Sequence, residues 1–171
     1  MVQNEIDIIM LDTHQHESEV DGGKTMFTNE ILSTCEKACA DDLSELEEVY
    51  GFKFPNEMKL FYLQYNGGNL KRREVCLQKE DWKSSTSFHK FYTVKGEFEN
   101  ILKEVYFEDW WIKCLIPFGH DDGGEHFCFS TRDCDYGSIY YFVSECIDDE
   151  NPENALVKVG GNLIEFINNM K

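Results

Sequence analysis

Long apolar runs are missing from the sequence: no stretch approaches the ~20 consecutive apolar residues that a membrane-spanning helix needs. The opening residues also lack the basic start and long apolar region of a secretory signal, because Glu5 and Asp7 interrupt the short run that ends at Leu11. Neither export nor membrane insertion is expected, and the expected location is cytoplasmic. Basic residues are scarce as well. The 16 Lys and Arg stand against 33 Asp and Glu, a formal net charge of -17. Nucleic-acid affinity comes mainly from cationic groups that displace counterions from phosphates, so DNA and RNA are not expected partners. Anionic membrane surfaces are disfavoured for the same reason. A basic protein is attracted instead, although acidity of this kind also serves plain solubility.

The familiar signatures of catalysis are absent too. The sequence has no Cys-x-x-Cys, no His-Glu-x-x-His, no Gly-x-Ser-x-Gly elbow, no phosphate-binding loop and no dinucleotide fingerprint. No cofactor, no metal and no enzymatic activity is expected. The seven cysteines are an odd number without a secretory signal, and several lie in apolar runs such as Cys114-Leu115-Ile116 and Phe127-Cys128-Phe129. They read as reduced thiols that fill space, including the pairs Cys35/Cys39 and Cys128/Cys134.

What the chain does have is enough apolar material for one packed core. It is 171 residues long and 42% hydrophobic, with 13 Phe and 8 Tyr. Residues 1–24 read as an N-terminal extension, with a candidate strand over Ile6–Leu11, and residues 25–171 as the domain. Phe27, Ile31, Leu32, Cys35 and Cys39 recur at helical spacing. A second helix is expected from Asp42, where Asp42-Leu43-Ser44-Glu45 has the form of a capping box; it buries Leu43, Leu46, Val49 and Tyr50 and stops at Gly51. Pro55 then opens a third helix with Met58, Phe61, Tyr62 and Tyr65 on one face, and Asn66-Gly67-Gly68 supplies its left-handed stop. Short strand-like runs follow at Val75–Leu77 and Phe91–Val94, then a helix marked by Phe98, Ile101, Leu102, Val105 and Tyr106. A meander of Cys114–Phe118, His126–Phe129, Ser138–Phe142 and Leu156–Val159 precedes a last helix capped by Asn162. The expected fold is α+β: a single domain with an antiparallel, meander-like sheet flanked by helices.

The order of these motifs resembles the SUKH superfamily. A helix leads into Gly51-Phe52-Lys53-Phe54-Pro55, and an aromatic helix closes on Asn66-Gly67-Gly68. The block Ile116-Pro117-Phe118-Gly119-His120-Asp121-Asp122-Gly123-Gly124-Glu125-His126-Phe127-Cys128 is similar to that family's second signature, and Ser138–Phe142 with the last helix matches the sequel. The likeness spans roughly residues 28 to 170. It implies a domain related to the yeast regulator of cell-wall assembly, used in bacteria chiefly as an immunity protein that binds and neutralises a cognate toxin, often a nuclease. On that implication the partner is a protein toxin of basic character. An intracellular regulatory or scaffold module is the alternative, and a hydrolase a weaker one. Residues 1–24 and 71–90 have no counterpart in the family pattern.

Three segments are candidate partner-binding sites. Glu108-Asp109-Trp110-Trp111 combines carboxylates with Trp, a residue favoured at binding hot spots; the plainer expectation splits the pair, one indole in the core and one partly exposed. Asp121, Asp122 and Glu125 lie between His120 and His126. That grouping raises a metal or acid/base reading, lacks a further ligand at characteristic spacing, and otherwise reads as a solvated turn or part of a binding surface. Asp148, Asp149 and Glu150 form an acidic loop. A cysteine nucleophile paired with His89, His120 or His126 is compatible with the sequence, and nothing in the spacing selects one.

Overall fold

The computed structural model describes residues 26–32 and 35–171, so the expected extension and the strand over Ile6–Leu11 lie outside the described residues. The chain runs through β1 (Ile31–Leu32), α1 (Ala40–Tyr50), α2 (Asn56–Gln64), β2 (Asn69–Leu70), β3 (Glu74–Lys79) and β4 (Trp82–Phe91). It continues through α3 (Glu99–Val105), β5 (Leu115–Asp121), β6 (His126–Ser130), β7 (Ile139–Phe142), β8 (Leu156–Gly160) and α4 (Leu163–Asn168). β1 and β2 form a small antiparallel pair, and β3 to β8 form a six-stranded sheet in sequential order with every neighbouring pair antiparallel. The fold is thus a single α+β domain. Among the described residues no helix is long and apolar enough to cross a membrane.

The helix expected over Phe27–Cys39 does not form in the described part of that segment. Instead Asn29 is buried, its side chain donating to the Arg72 carbonyl (2.8 Å) and accepting from the Arg72 N–H (3.0 Å), which holds the chain extended beside β2. Of the supposed helical face Phe27 is buried, edge-on to Phe61, and Ile31 packs partly buried against the same core. α1 starts two residues before the expected Asp42. Asp42 is not the cap but the residue that reaches back, accepting from the Cys39 N–H at 2.9 Å. Val49, expected on the buried face, is 65% exposed, because it stands about 120° round the helix from Leu43. Gly51 ends α1 with φ +71°, and Pro55 caps α2.

β4 lies earlier than the expected Phe91–Val94 strand and ends where that one was to begin. Its first half, Trp82–Ser87, pairs with β3, and its second half pairs with β5 across a bulge between Phe88 and Lys90. That division bends the sheet until the edge strands β3 and β8 come within 8 Å, Cα to Cα. Lys79 of β3 donates to the carbonyls of Glu153 and Asn154 in the turn that leads into β8, while Glu74 and Lys171 exchange both backbone hydrogen bonds (3.0 and 3.1 Å).

Strand alternation gives the sheet two apolar faces. One packs Phe88, Phe91, Phe118, Phe127 and Phe129 against Phe54, Phe61 and Tyr62 from the α1–α2 region and against Phe166 of α4. The other carries a smaller cluster of Trp111, Leu115, Cys128, Phe142, Ala155 and Leu156. The expectation that the cysteines fill space holds for buried Cys128 and half-buried Cys114. It fails for Cys35, Cys39, Cys76, Cys134 and Cys146, which are exposed because they sit in loops or on outward strand positions.

Candidate functional site

The alternation that sends Phe127 and Phe129 inward turns His126 and Cys128 toward the smaller cluster. His120 sits directly opposite His126 in the β5–β6 register. That register depends on a shift between Pro117 and Gly119. A Cβ at Gly119 would lie 2.6 Å from the Lys90 carbonyl oxygen and 3.0 Å from the Phe88 ring, so only glycine lets β4 approach.

The result is a continuous band of rings. His89 stacks on His120 with centroids 4.9 Å apart, and His120 stacks on Tyr92 at 5.5 Å. The Tyr92 hydroxyl is hydrogen-bonded to Nδ1 of His126 at 3.0 Å, and His126 meets the edge of Trp111 at 5.8 Å. Trp111 packs on Phe142 at 4.9 Å, and Trp110 leans on both, 5.6 Å from Trp111 and 6.2 Å from Phe142. The expected splitting of the tryptophan pair is what the structure shows. Trp111 is 3% exposed, its Nε1–H donating to the Leu115 carbonyl at 2.9 Å, whereas Trp110 is 43% exposed.

At neutral pH the enclosed part of this band is uncharged. Burial, aided by the nearby His120, pushes the His126 pKa down to about 4. Burial likewise pushes the Tyr92 phenol and the Cys128 thiol up. Cys128 shares its face with His126, yet a buried, protonated thiol is a poor nucleophile. His89 and His120 each give Nδ1–H to an oxygen, Asp122 Oδ1 and the Asp121 carbonyl, both at 2.8 Å. Among the described residues no group of three or more His, Cys, Asp or Glu side chains is arranged to hold a metal. What the band and its surroundings present is flat rings, imidazole edges and carboxylates.

The expected acidic sites divide by burial. Asp121 is 5% exposed and does not offer its carboxylate to a partner. Its oxygens accept from Tyr141 Oη and Thr86 Oγ1 (both 2.7 Å) and from the N–H groups of Gly123 and Glu125 (2.8 and 2.9 Å). Burial alone would raise its pKa; those donors, Tyr141 foremost, outweigh it and hold the carboxyl below the usual range. Trp111 is likewise withdrawn from the surface. Asp122 is exposed and joins His89 and Arg73 (2.6 Å). Glu125 accepts from the Ser144 N–H at 3.0 Å and from its hydroxyl at 2.6 Å, tying the β5–β6 turn to the loop after β7. In that loop Asp148 accepts from the Glu150 N–H and from Asn154, while Asp149 and Glu150 are exposed. Glu108 and Asp109 are exposed beside Trp110. The carboxylates of Glu108, Asp109, Asp149 and Glu150 make no hydrogen bond or ion pair among the described residues.

The remaining motif residues are architectural. Asn66 accepts from the Val94 N–H (2.9 Å) and donates to the Glu36 carbonyl (2.6 Å). Gly67, at φ +101°, lies against Phe91 and Thr93 where a Cβ would come within 3.2 Å of a carbonyl oxygen, and the Gly68 carbonyl accepts from Phe91. Pro117 lies in β5 at the register shift, and Gly123 and Gly124 form the β5–β6 turn with Glu125. Tyr92 and Phe142 are the band members that the sequence reading did not single out. The signal for Phe142 was strand alternation, since its neighbour Tyr141 faces the main core; Tyr92, one residue past β4, carried none.

Compared with known proteins, the profile of the SMI1 / KNR4 family (SUKH-1) matches residues 37–169. No curated protein matches the chain.

Proposed function

The chain belongs to the SMI1 / KNR4 family (SUKH-1), and from that premise we propose that it is an immunity protein that binds and neutralises a cognate basic protein toxin. The SUKH families include toxin-immunity proteins, and the site described above suits binding rather than turnover. The observation that carries the reading is Trp110, a half-exposed ring packed on Trp111 and Phe142 and preceded in the chain by the exposed carboxylates of Glu108 and Asp109, which pair with no cation among the described residues. A half-exposed aromatic within an acidic rim is the composition of a binding hot spot for a basic surface. Binding alone is the proposed mode of action, a one-to-one complex that covers the toxin's working surface.

The test is genetic and biochemical. The product of the adjoining gene is produced with and without this chain, cell survival is scored, and complex formation is measured on purified proteins. The reading expects killing that this chain suppresses, with one copy bound per toxin. A neighbouring product that neither kills nor binds removes it. Affinity capture that returns several housekeeping proteins and no toxin favours the regulatory module instead.

A further inference from the structure

Two aromatic rings of this domain already hold a cation. Lys113 lies 5.7 Å from the Tyr106 ring and donates to the Tyr106 and Glu108 carbonyls. Arg132 lies over Tyr140 at 5.2 Å, with its guanidinium paired to Asp135 (2.6 Å) and Glu153 (2.8 Å). The second arrangement is a complete arginine seat: a ring beneath, carboxylates at the edge, and burial that strengthens both. Trp110 has the same kinds of group in its vicinity along the chain, an exposed ring and exposed carboxylates, and no guanidinium. Its ring meets Trp111 edge-on at 5.6 Å and Phe142 at 6.2 Å, it is 43% exposed, and Glu108 and Asp109 precede it in the chain. Among the described residues no cation lies over it.

Resting on the binding role proposed above, we infer that Trp110 is the seat for an arginine side chain of the partner, with Glu108 and Asp109 as its carboxylate edge. Arginine suits this place better than lysine for a geometric reason. A guanidinium is planar, stacks on an indole and still presents N–H groups in its plane to carboxylates, whereas an ammonium is a strongly hydrated point charge. The overall charge of -17 brings basic surfaces of either kind to the protein, so charge alone does not choose between them. The open ring does. Exposed acids also stand on α1, at Asp41, Glu45 and Glu48, but the one aromatic of that helix, Tyr50, is buried. The closer rival is Glu80-Asp81-Trp82, which repeats the Glu-Asp-Trp order with a 48% exposed ring; among the described residues no other ring packs on Trp82, whereas Trp110 is held by Trp111 and Phe142.

The probes are octa-arginine and octa-lysine peptides of equal charge, titrated into the full chain while the indole N–H resonances are followed by NMR. Trp110→Phe assigns the Trp110 signal. Octa-arginine is expected to bind about two- to five-fold more tightly than octa-lysine and to move the Trp110 resonance. Trp110→Ala is expected to abolish the preference while leaving salt-dependent binding, and Trp82→Ala, at the other exposed tryptophan, to leave the preference intact. Equal affinities, a preference that survives Trp110→Ala, or movement of Trp82 alone would overturn the inference. The wild-type titration decides even if Trp110→Ala unfolds. Neutralisation of the cognate toxin by Trp110→Ala at wild-type strength also overturns it and leaves the immunity reading standing. An intact arginine preference beside a harmless neighbouring gene product does the reverse.

Discussion

His126 is a neutral base held inside the ring band, and that has a thermodynamic sign. Its folded pKa of about 4 lies below the ordinary imidazole value of 6.5, so between those values the unfolded chain takes up a proton that the folded chain refuses. Stability therefore falls as pH drops from about 7 toward 4, by up to about 3 kcal/mol. The carboxylates act later. Asp121, and Asp135 at about 2, have folded pKa values below their unfolded ones, so their contribution is present above the carboxylate range and is lost only as pH falls through it. Urea midpoints at pH 7 and pH 5.5 separate the two effects. The wild type is expected to lose stability over that interval and His126→Phe to lose much less. Equal slopes would show that the imidazole titrates normally.

At the scale of the element, Glu47 joins α1 to the corner before α2. It is 4% exposed, and its carboxylate accepts from the Phe54 N–H (2.8 Å), Lys53 (3.0 Å) and Lys59 (2.7 Å). Glu47→Ala strands the buried Phe54 N–H and is expected to cost about 1–3 kcal/mol, read as a lower chemical-denaturation midpoint. A loss within about 0.5 kcal/mol, the scale of an ordinary surface substitution, would show the corner does not rely on it. The same element scale marks how far the sequence was legible. Gly51, Asn66-Gly67-Gly68 and the Asn162–Glu165 cap were readable because each is a local device whose backbone needs are met within a few residues. The segment after Phe27 was not. Its apolar spacing imitates a helix, while its conformation is set by Asn29 meeting Arg72, a partner 43 residues away. The splitting of Trp110 and Trp111 followed from size and polarity alone. The ring band did not, because it assembles residues from β4 to β7 and depends on two register shifts that no periodicity announces.

Over the whole molecule the excess of carboxylates acts as a long-range field. With a basic partner it is expected to speed encounter at low salt, so the association rate constant should fall by about tenfold or more between ~0.02 and ~0.5 M salt, with a smaller change in dissociation. Stopped-flow mixing measures both. A salt-independent association rate would confine the acidity to solubility. The bent sheet has a consequence of another kind. Phe166, Ile167 and Met170 sit in the main core, and Lys171 pairs with Glu74 at the edge of β3. During synthesis the chain therefore emerges with its aromatic core open on one side: β8 supplies the strand that the bend brings to β3, but the core itself stays uncovered until residues 163–171 have cleared the ribosome. A chain stalled shortly before that point presents a half-built apolar surface, the form in which newborn proteins are most prone to aggregate and to be held by chaperones.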